Sequence, residues 1–494
     1  MGKIPIRRSS PYLVLWTAIF ICLTPYIILS FFGCLAPDDY GVANLCRKTG
    51  FIESQKIIFF GWGGRYTATF FLTSLAASGL LSRCIFLHPL LLLSATWLSL
   101  YFLLNCVNRC FLSASLSRRL RILMASILLS QLIYAQASTK DAIYWFSSSL
   151  SYQTATILFL LLCGCLILRW KAGSAGRWRI DLAIFLLIIL ISGTNELSAT
   201  QLASLWIVLS ALAFYVRRKV PGFLMICLLL TLAAAVAISL TSGILTTRAV
   251  MMSSNTGLFT VLSIILFRSA AVFYYIARNP LFWVCGYFLF WAGVKATPLL
   301  RSGALAALPG KRGKLPFVLT IPAMVLLPLT PILLVTHGSL PQRALDVLTQ
   351  VTSLGLLACC FLAGVLRTCD ATGSIFPAKP AIFPFLFAGA LLANSKFVEA
   401  WENCLSGYFY HAVLKNREQR LLEAASSHQD TVRLAPFDAA LENEINKAFP
   451  HGVFVELRKV IGQKPSLLPY DNETGDPYPA YEEYHGVAKI IIQN

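Results

Sequence analysis

Long apolar runs separated by short polar segments dominate the chain from its start to about residue 396. The first run extends roughly from Leu13 to Phe32, which is long enough to cross the hydrocarbon core of a bilayer as a helix. A cleaved signal peptide has a shorter apolar core and a small-residue cleavage site, so this run is predicted to be a retained first helix. The pattern as a whole predicts an all-α integral membrane protein.

Lys and Arg residues lie in short clusters between the apolar runs, which is typical of cytoplasmic loops. The five clusters are Lys3, Arg7 and Arg8; Arg109, Arg118, Arg119 and Arg121; Arg169, Lys171, Arg177 and Arg179; Arg217, Arg218 and Lys219; and Arg301, Lys311, Arg312 and Lys314. Placing all five in the cytoplasm puts the N-terminus inside and fixes the parity of the crossings between them. This topology has about 11 transmembrane helices, the last near Phe383 to Leu392.

Two stretches, Thr67 to Asn105 and Leu258 to Leu300, each hold two apolar runs, although this topology needs only one crossing in each. Thr67 to Leu81 and Leu258 to Ile276 are therefore predicted to be interfacial helices at the outer face, or re-entrant ones. The alternative is two additional crossings, with the second basic cluster outside.

The chain turns polar from about Phe397, and this part is predicted to be a small extracytoplasmic α+β domain. The polytopic transmembrane domain then comprises residues 1–396, and the C-terminal domain comprises residues 397–494.

Two elements are predicted within the C-terminal domain. Trp401 to Ser426 has the spacing of an amphipathic helix with Arg417 and Arg420 on its polar side. Val487 to Ile492 is apolar enough for a short buried strand.

Composition supports the membrane class. The 494 residues are 57% hydrophobic and 13% charged, with a mean hydropathy of +0.69, whereas a soluble domain carries about 25% charged residues. The formal net charge of +19 does not indicate a nucleic-acid partner, because such a protein gathers its basic residues on one polar face.

The 14 Cys residues lie mostly inside apolar runs, and the sequence has no CxxC pair and no Cys/His cluster. A zinc or redox centre is therefore not predicted. Cys34 and Cys46 flank one polar loop, and they can form a disulfide if that loop is extracytoplasmic.

Side chains suited to chemistry fall on the outer side of the predicted topology. They are Asp38, Asp39, Trp62, Arg65, Tyr66, Asp141, Tyr144, Trp145, Asn195, Glu196, Arg248, His337 and Arg343. Paired carboxylates near a membrane surface can act as a general base or hold a divalent cation such as Mg²⁺ or Mn²⁺. Guanidinium groups suit a phosphate at the bilayer interface.

Each of these residues also has a plain structural interpretation when it is taken singly. Two adjacent carboxylates occur at solvated helix ends, Trp and Tyr anchor helices at the membrane interface, Glu196 suits a helix start, and Arg343 can snorkel. Their convergence on one side of the membrane is what favours a functional site.

Several short motifs include these residues. They are Asp38-Asp39-Tyr40, Trp62 with Gly64-Arg65, Tyr144-Trp145 with Tyr152, Asn195-Glu196, Pro341 with Arg343-Ala344, and the tail from Tyr481 to Ile491. Together they resemble the GT-C membrane glycosyltransferases. Within that architecture the closer resemblance is to an uncharacterised bacterial group similar to the serotype-converting O-antigen glucosyltransferases. The third motif departs from that group, because Ser151 stands where the group has Asn before Tyr152.

The resemblance implies transfer of a sugar, with inversion, from a polyprenyl-phosphate donor at the outer face of the bacterial inner membrane. The implied acceptor is a cell-envelope glycan, lipid or protein, and membrane lipids are further partners. Asp38, Asp39 and Glu196 are the implied catalytic residues. The implied substrate-binding residues are Trp62, Arg65, Tyr66, Tyr144, Trp145, Tyr152, Asn195, Arg248, His337 and Arg343.

Three alternatives stay open. One is a transporter or a flippase for lipid-linked sugars, which would place charges near mid-membrane. Another is an enzyme like the O-antigen polymerases and ligases, which would use a diphosphate donor. The third is a non-catalytic assembly or anchoring protein.

Overall fold

The computed structural model describes most of the chain. The described residues are 10–61, 63–81, 83–112, 116–171, 174–241, 258–296, 323, 325–330, 342–370, 382–429, 431–448, 460, 466, 479–487 and 489–492.

The described part is almost entirely helical. Its helices are α1 (Ser10–Ser30), α2 (Pro37–Gly61), α3 (Tyr66–Ala77), α4 (Leu87–Phe111), α5 (Arg118–Ala135), α6 (Phe146–Lys171), α7 (Ser174–Ser192), α8 (Glu196–Arg217), α9 (Gly222–Ser239), α10 (Leu258–Ala277), α11 (Pro280–Ala296), α12 (Gln342–Asp370), α13 (Phe383–Leu392), α14 (Ser395–Ser426), α15 (Phe437–Ala448) and α16 (Pro479–His485). A π-helical turn, Lys140–Tyr144, precedes α6. The two strands are β1 (Thr431–Leu434) and β2 (Lys489–Ile492).

Six helices within the described residues are long and apolar enough to cross a membrane. They are Tyr12–Ser30, Leu87–Phe111, Phe146–Lys171, Glu196–Tyr215, Gly222–Ser239 and Arg343–Val365. Many large apolar side chains on these helices face outward, as they do where lipid replaces water as the solvent. The fold is that of a multi-pass membrane protein.

Helices α4 and α6 run parallel, and their polar residues differ at the two ends of the pair. At one end, Lys171 Nζ donates a hydrogen bond to the Arg109 carbonyl at 3.0 Å. At the other end, His88 Nε2 lies 2.6 Å from the Ser149 hydroxyl. The 26 residues of α6 rise about 39 Å, more than the roughly 30 Å of a hydrocarbon core. We call the end with Arg109 and Lys171 the basic end and the end with His88 and Ser149 the site end.

Helices α11 and α12 approach each other closely at a pair of glycines. A Cβ atom on Gly293 would overlap the Phe361 carbonyl, and one on Gly364 would overlap the Phe290 carbonyl. Small residues at a crossing let two helix backbones touch, which is a common way to pack helices in lipid.

The C-terminal residues pack as a small unit on α14 and α2. Strand β1 pairs parallel with β2, in the register Thr431↔Lys489 to Leu434↔Ile492. Helix α16 contacts α2, where Arg47 Nη1 donates to the Tyr484 carbonyl at 2.7 Å and its guanidinium lies 4.1 Å from the Tyr484 ring centroid.

The structure confirms the predicted short strand near the C-terminus, since β2 covers Lys489–Ile492. Helix α3 has 12 residues and rises about 18 Å, too little to cross a bilayer. Helix α13 has 10 residues and rises about 15 Å, so it does not form the last predicted crossing by itself. The total of about 11 crossings stays a prediction.

Helix α14 lies against α1, with Cys404 Sγ 3.2 Å from the Pro25 carbonyl. Apolar packing is therefore continuous across residue 397, and the predicted division into two domains stays a prediction.

One prediction about α14 is corrected. Arg417 is 6% exposed and donates to the Ala435 carbonyl at 2.6 Å, so it lies on the buried side of α14 and not on its polar side. Its long apolar stem and its neighbour, the Phe437 ring 5.0 Å away, explain the burial. Cys34 and Cys46, for which the sequence left a disulfide open, are not joined by one, and the Cys46 thiol is directed at the Thr73 carbonyl.

Candidate functional site

The first two turns of α6 collect side chains from distant parts of the sequence. The contacts along this segment are the Ser147 N–H with Asp39 Oδ1 at 3.1 Å, the Ser149 hydroxyl with His88 Nε2 at 2.6 Å, the Ser151 carbonyl with Asn195 Nδ2 at 2.7 Å, and Gln153 Oε1 with Gln136 Nε2 at 3.2 Å. The serines of this segment are small enough to let α2, α4 and α8 approach the helix. Segments that are distant in the sequence therefore meet at the site end of α6.

Asp39 is fully buried, and both of its carboxylate oxygens accept backbone hydrogen bonds. Oδ2 accepts from the Ala36 N–H at 2.9 Å, and Oδ1 accepts from the Ser147 N–H. Ala36 is the residue before α2, and Pro37 occupies its first position, so the Asp39 side chain caps the start of its own helix by accepting from the Ala36 N–H, as the third residue of a capping box does. It also satisfies an N–H in the first turn of α6. Asp39 therefore links the starts of two helices.

Burial raises the pKa of the Asp39 carboxyl from 3.8 to about 7, although the two backbone N–H donors lower it. The neighbouring Asp38 carboxylate raises it further. Loss of solvation is the larger effect because water does not reach either oxygen.

Asp38 differs from its neighbour in both exposure and contacts. It is half-buried in the first turn of α2, and its carboxylate forms no hydrogen bond or ion pair with any residue that the structure describes. Of the two acids, Asp38 is the one whose oxygens are available to another molecule.

Arg65 and Glu196 form a two-point ion pair that joins the start of α3 to the start of α8. Arg65 Nε donates to Glu196 Oε1 at 3.2 Å, and Nη2 lies 3.2 Å from Oε2. The Tyr152 hydroxyl lies beside the same guanidinium, and Glu196 holds the pKa of Arg65 above its usual value. About a third of each charged side chain is exposed, 36% for Arg65 and 34% for Glu196.

Asn195 and Tyr66 both form hydrogen bonds that support the fold. Asn195 is the N-cap of α8, where its Oδ1 accepts from the Ser198 N–H at 2.8 Å. The Tyr66 hydroxyl donates to the Ile189 carbonyl at 2.5 Å, and the Tyr66 ring covers Gly193 so closely that no Cβ atom would fit there. Both residues hold α3 and α8 in place.

The π-helical turn before α6 places Tyr144 and Trp145 differently. Tyr144 is 1% exposed and its hydroxyl donates to the Tyr26 carbonyl at 2.9 Å, which ties the turn to α1. Trp145 is partly buried, and the Arg343 guanidinium lies 4.7 Å from its ring centroid. Neither Trp145 Nε1 nor Arg343 Nε has a hydrogen-bond partner among the described residues.

The structure adds two charged residues that the sequence reasoning missed. Asp346 in α12 is 1% exposed, and its Oδ1 accepts from the Ala137 N–H at 2.5 Å and from the Ser138 N–H at 3.1 Å. Lys396 in α14 donates to the Gln136 carbonyl. Its ammonium group also attracts the Asp346 carboxylate electrostatically. One signal in the sequence was available, because Arg343 and Asp346 are two charged residues three positions apart at the start of a predicted spanning run.

A divalent cation does not fit the Asp38–Asp39 pair well. Both Asp39 oxygens already accept N–H groups. Within the part of the chain that the structure describes, no group of three or more His, Cys, Asp or Glu residues is placed to hold a metal ion.

The structure thus brings Asp38, Asp39, Arg65, Tyr66, Tyr144, Trp145, Tyr152, Asn195, Glu196 and Arg343 to the site end of the bundle. Trp62, Arg248 and His337 lie outside the described residues. Comparisons of the chain with protein-family models, with curated proteins and with solved structures found no match. The family resemblance therefore stays a prediction.

Proposed function

We propose that this chain is an inverting membrane glycosyltransferase. It would transfer a sugar from a polyprenyl phosphate to an envelope glycan, lipid or protein at the outer face of a bacterial inner membrane. Its N-terminus and basic end would face the cytoplasm, and its site end would face outward. The observation that carries the proposal is the meeting of acids, guanidinium groups and aromatic rings from five distant segments at the start of α6.

The geometry supports Asp38 as the general base. An inverting displacement needs one carboxylate to take the proton of the acceptor hydroxyl while that oxygen attacks the anomeric carbon. Asp38 is partly exposed and forms no bond with the described residues, whereas both Asp39 oxygens are occupied. Asp39 acts as a positioning residue, since it fixes the turn that presents Asp38.

The leaving group is the polyprenyl phosphate, to which the electrons of the broken carbon–oxygen bond pass. Its negative charge needs a cation near the bilayer interface. Arg65 is already neutralised by Glu196. Arg343 forms no ion pair within the described residues and its Nε has no acceptor there, so Arg343 is the cation that we assign to the phosphate.

The test is transfer of radiolabelled sugar from polyprenyl phosphate by the full-length protein in vesicles. We expect Asp38→Asn to lower the rate by about 100- to 10,000-fold, the range of general-base catalysis. Glu53→Gln is the matched control, because Glu53 is an exposed acid on the same helix. Transfer by Asp38→Asn at the wild-type rate would contradict the assignment of the base.

A transporter or flippase is the second candidate, and the buried Asp346 favours it. Ionisable residues inside spanning helices often mark transport pathways, and Asp346 lies in the span Arg343–Val365. Movement of the labelled lipid between leaflets without transfer of its sugar would favour this candidate over the transferase.

A further inference from the structure

A cavity of about 530 Å³ lies between α14 and the C-terminal residues that pack on it. Its walls are formed by the second half of α14, by the end of β1 and by α15. Cavities of about 300 to 1,000 Å³ hold small molecules in many proteins. This cavity, which we call the C-terminal cavity, therefore has room for a ligand.

The C-terminal cavity lies at the site end of the bundle. Helix α1 ends there, where the π-helical turn before α6 is bonded to it. Helix α14 runs parallel to α1, with Cys404 Sγ 3.2 Å from the Pro25 carbonyl and the Tyr408 ring 6.1 Å from the ring of Phe32, just past the end of α1. Arg417, on the cavity wall, is about 14 Å further along α14 than Tyr408. The cavity is therefore beyond the end of α1, on the same side as the start of α6.

The side chains that line the C-terminal cavity include three cations and one acid. Lys447 Nζ and Asn416 Nδ2 both donate to Glu444 Oε1, at 2.6 and 3.3 Å, so the acid is already neutralised. Arg417 and Arg420 are three residues apart and share one face of α14. Arg420 forms no ion pair or hydrogen bond with any residue that the structure describes. The lining therefore favours a ligand with a negative charge, which a guanidinium group can bind through two hydrogen bonds.

Amide and apolar side chains complete the lining. Asn416, Asn443 and Asn446 each carry an N–H₂ donor and a carbonyl acceptor. Val413 and Leu434 add apolar surface. The hydroxyl groups of a saccharide suit the amides, because a hydroxyl group also both donates and accepts, and the C–H face of a sugar ring suits the apolar surface. Inorganic phosphate or an acidic peptide would satisfy the cation but would bring few or no hydroxyl groups to the amides.

We infer that the C-terminal cavity binds an acidic saccharide, with its carboxylate or phosphate group at Arg420 and its hydroxyl groups at the Asn side chains. The inference rests on the proposed function only for the statement that this saccharide is the acceptor. Helix α16, whose strand β2 pairs with β1 beside the cavity, packs on α2 with the Tyr484 ring 4.9 Å from the Tyr40 ring. Tyr40 is two residues after Asp38, so the part of the chain that holds the cavity is attached to the helix that carries the proposed base.

The test measures binding to the full-length protein in lipid nanodiscs by calorimetry. The probes are disaccharides that carry a uronic acid or a sugar phosphate, the same disaccharides without the charged group, a peptide of alternating aspartate and glycine, and inorganic phosphate. We expect at least one acidic disaccharide to bind more tightly than all the other kinds of probe. Arg420→Gln should weaken its binding by about 10-fold, the equivalent of one charge-assisted hydrogen bond, and Asn443→Ala by about 3- to 5-fold, the equivalent of a neutral one.

Arg433→Gln is the matched control. Arg433 is exposed on β1 and does not line the cavity, and its substitution removes the same charge as Arg420→Gln. We expect Arg433→Gln to bind every probe with wild-type affinity. Wild-type affinity of both Arg420→Gln and Asn443→Ala for every acidic disaccharide overturns the inference, and so does the failure of every acidic disaccharide to bind. Equally tight binding of the peptide or of phosphate also overturns it, because the cavity would then recognise negative charge alone.

The inference and the proposed function fail in different ways. Asp38→Asn should bind the acidic disaccharide with wild-type affinity, because Asp38 does not line the cavity. Saccharide binding that is lost in Arg420→Gln, without any transfer of label by the wild type, keeps the saccharide site and removes the transferase. Transfer of label to an acidic acceptor with an unchanged KM in Arg420→Gln keeps the transferase and removes the saccharide site.

Discussion

The polar residues at the start of α6 and those along α12 differ in how many of their atoms have protein partners. At the start of α6, Asp39 uses both carboxylate oxygens, and Arg65 and Glu196 form a two-point pair. Along α12, Asp346 uses one oxygen, and Thr349 Oγ1 has no partner among the described residues. The first group stabilises the fold through its hydrogen bonds and ion pair, whereas the second has buried oxygen atoms that lack a hydrogen-bond partner among the described residues, which costs stability.

The largest expected effect comes from Asp39→Ala. It removes two buried hydrogen bonds that hold the starts of α2 and α6, so the free energy of unfolding should fall by about 3 kcal/mol. Denaturation in detergent micelles at pH 6 measures it. Asp38→Ala is the control and should change stability by less than about 0.5 kcal/mol. Equal losses in the two variants would mean that the Asp39 contacts do not hold the helix starts together.

The second effect is a dependence of stability on pH. The folded pKa of Asp39 is about 7, above its unfolded value of 3.8. The folded state therefore binds more protons between these values, and the stabilisation from protonated Asp39 is present below about pH 4 and lost as the pH rises through about 7. From pH 5 to pH 8 the wild type should lose about 2.5 kcal/mol relative to Asp39→Asn, whose amide does not titrate. Parallel pH profiles of the two proteins would contradict the raised pKa.

A smaller effect is expected for the pair of Arg65 and Glu196. Since about a third of each side chain is exposed, water screens the pair, and its coupling free energy should be about 1 kcal/mol. A double-mutant cycle with Arg65→Met and Glu196→Gln measures this coupling. A coupling free energy of zero would mean that the pair does not stabilise the fold. The polar groups near the start of α6 would then differ less from those on α12.

The smallest effect should have the opposite sign. Thr349→Val removes a buried hydroxyl that has no partner among the described residues, so the unliganded protein should gain about 0.5 kcal/mol. Thr67→Val is the matched control, because the Thr67 hydroxyl donates to the Leu190 carbonyl at 2.9 Å and its loss should destabilise. A destabilised Thr349→Val protein would show that this hydroxyl has a structural partner.

Local pattern predicted several elements well. The first apolar run was expected from Leu13 to Phe32, and α1 covers Ser10–Ser30. The end of α14 at Ser426 also matches its prediction. Such elements follow from apolar runs and helical spacing, which depend on neighbours only a few residues away.

Long-range contacts could not be predicted in this way. Arg417 was expected to be solvated, but the fold places the Ala435 carbonyl and the Phe437 ring against it. Asp38 and Asp39 are adjacent residues of the same type, and the sequence did not show that the Ser147 N–H, more than a hundred residues away, would contact Asp39 and not Asp38. The sequence does not show which partner the Asp346 carboxylate has, and only the fold places the Ala137 and Ser138 N–H groups of the α5–α6 connection against it.

The sequence by itself determined that the chain is a multi-pass helical membrane protein, because hydropathy and the length of an apolar run are local properties that a bilayer selects directly. It also named most of the residues at the site end. Only the tertiary structure decided which of them are occupied by neighbours and which are available, because hydrogen bonds between segments a hundred residues apart depend on how helices pack.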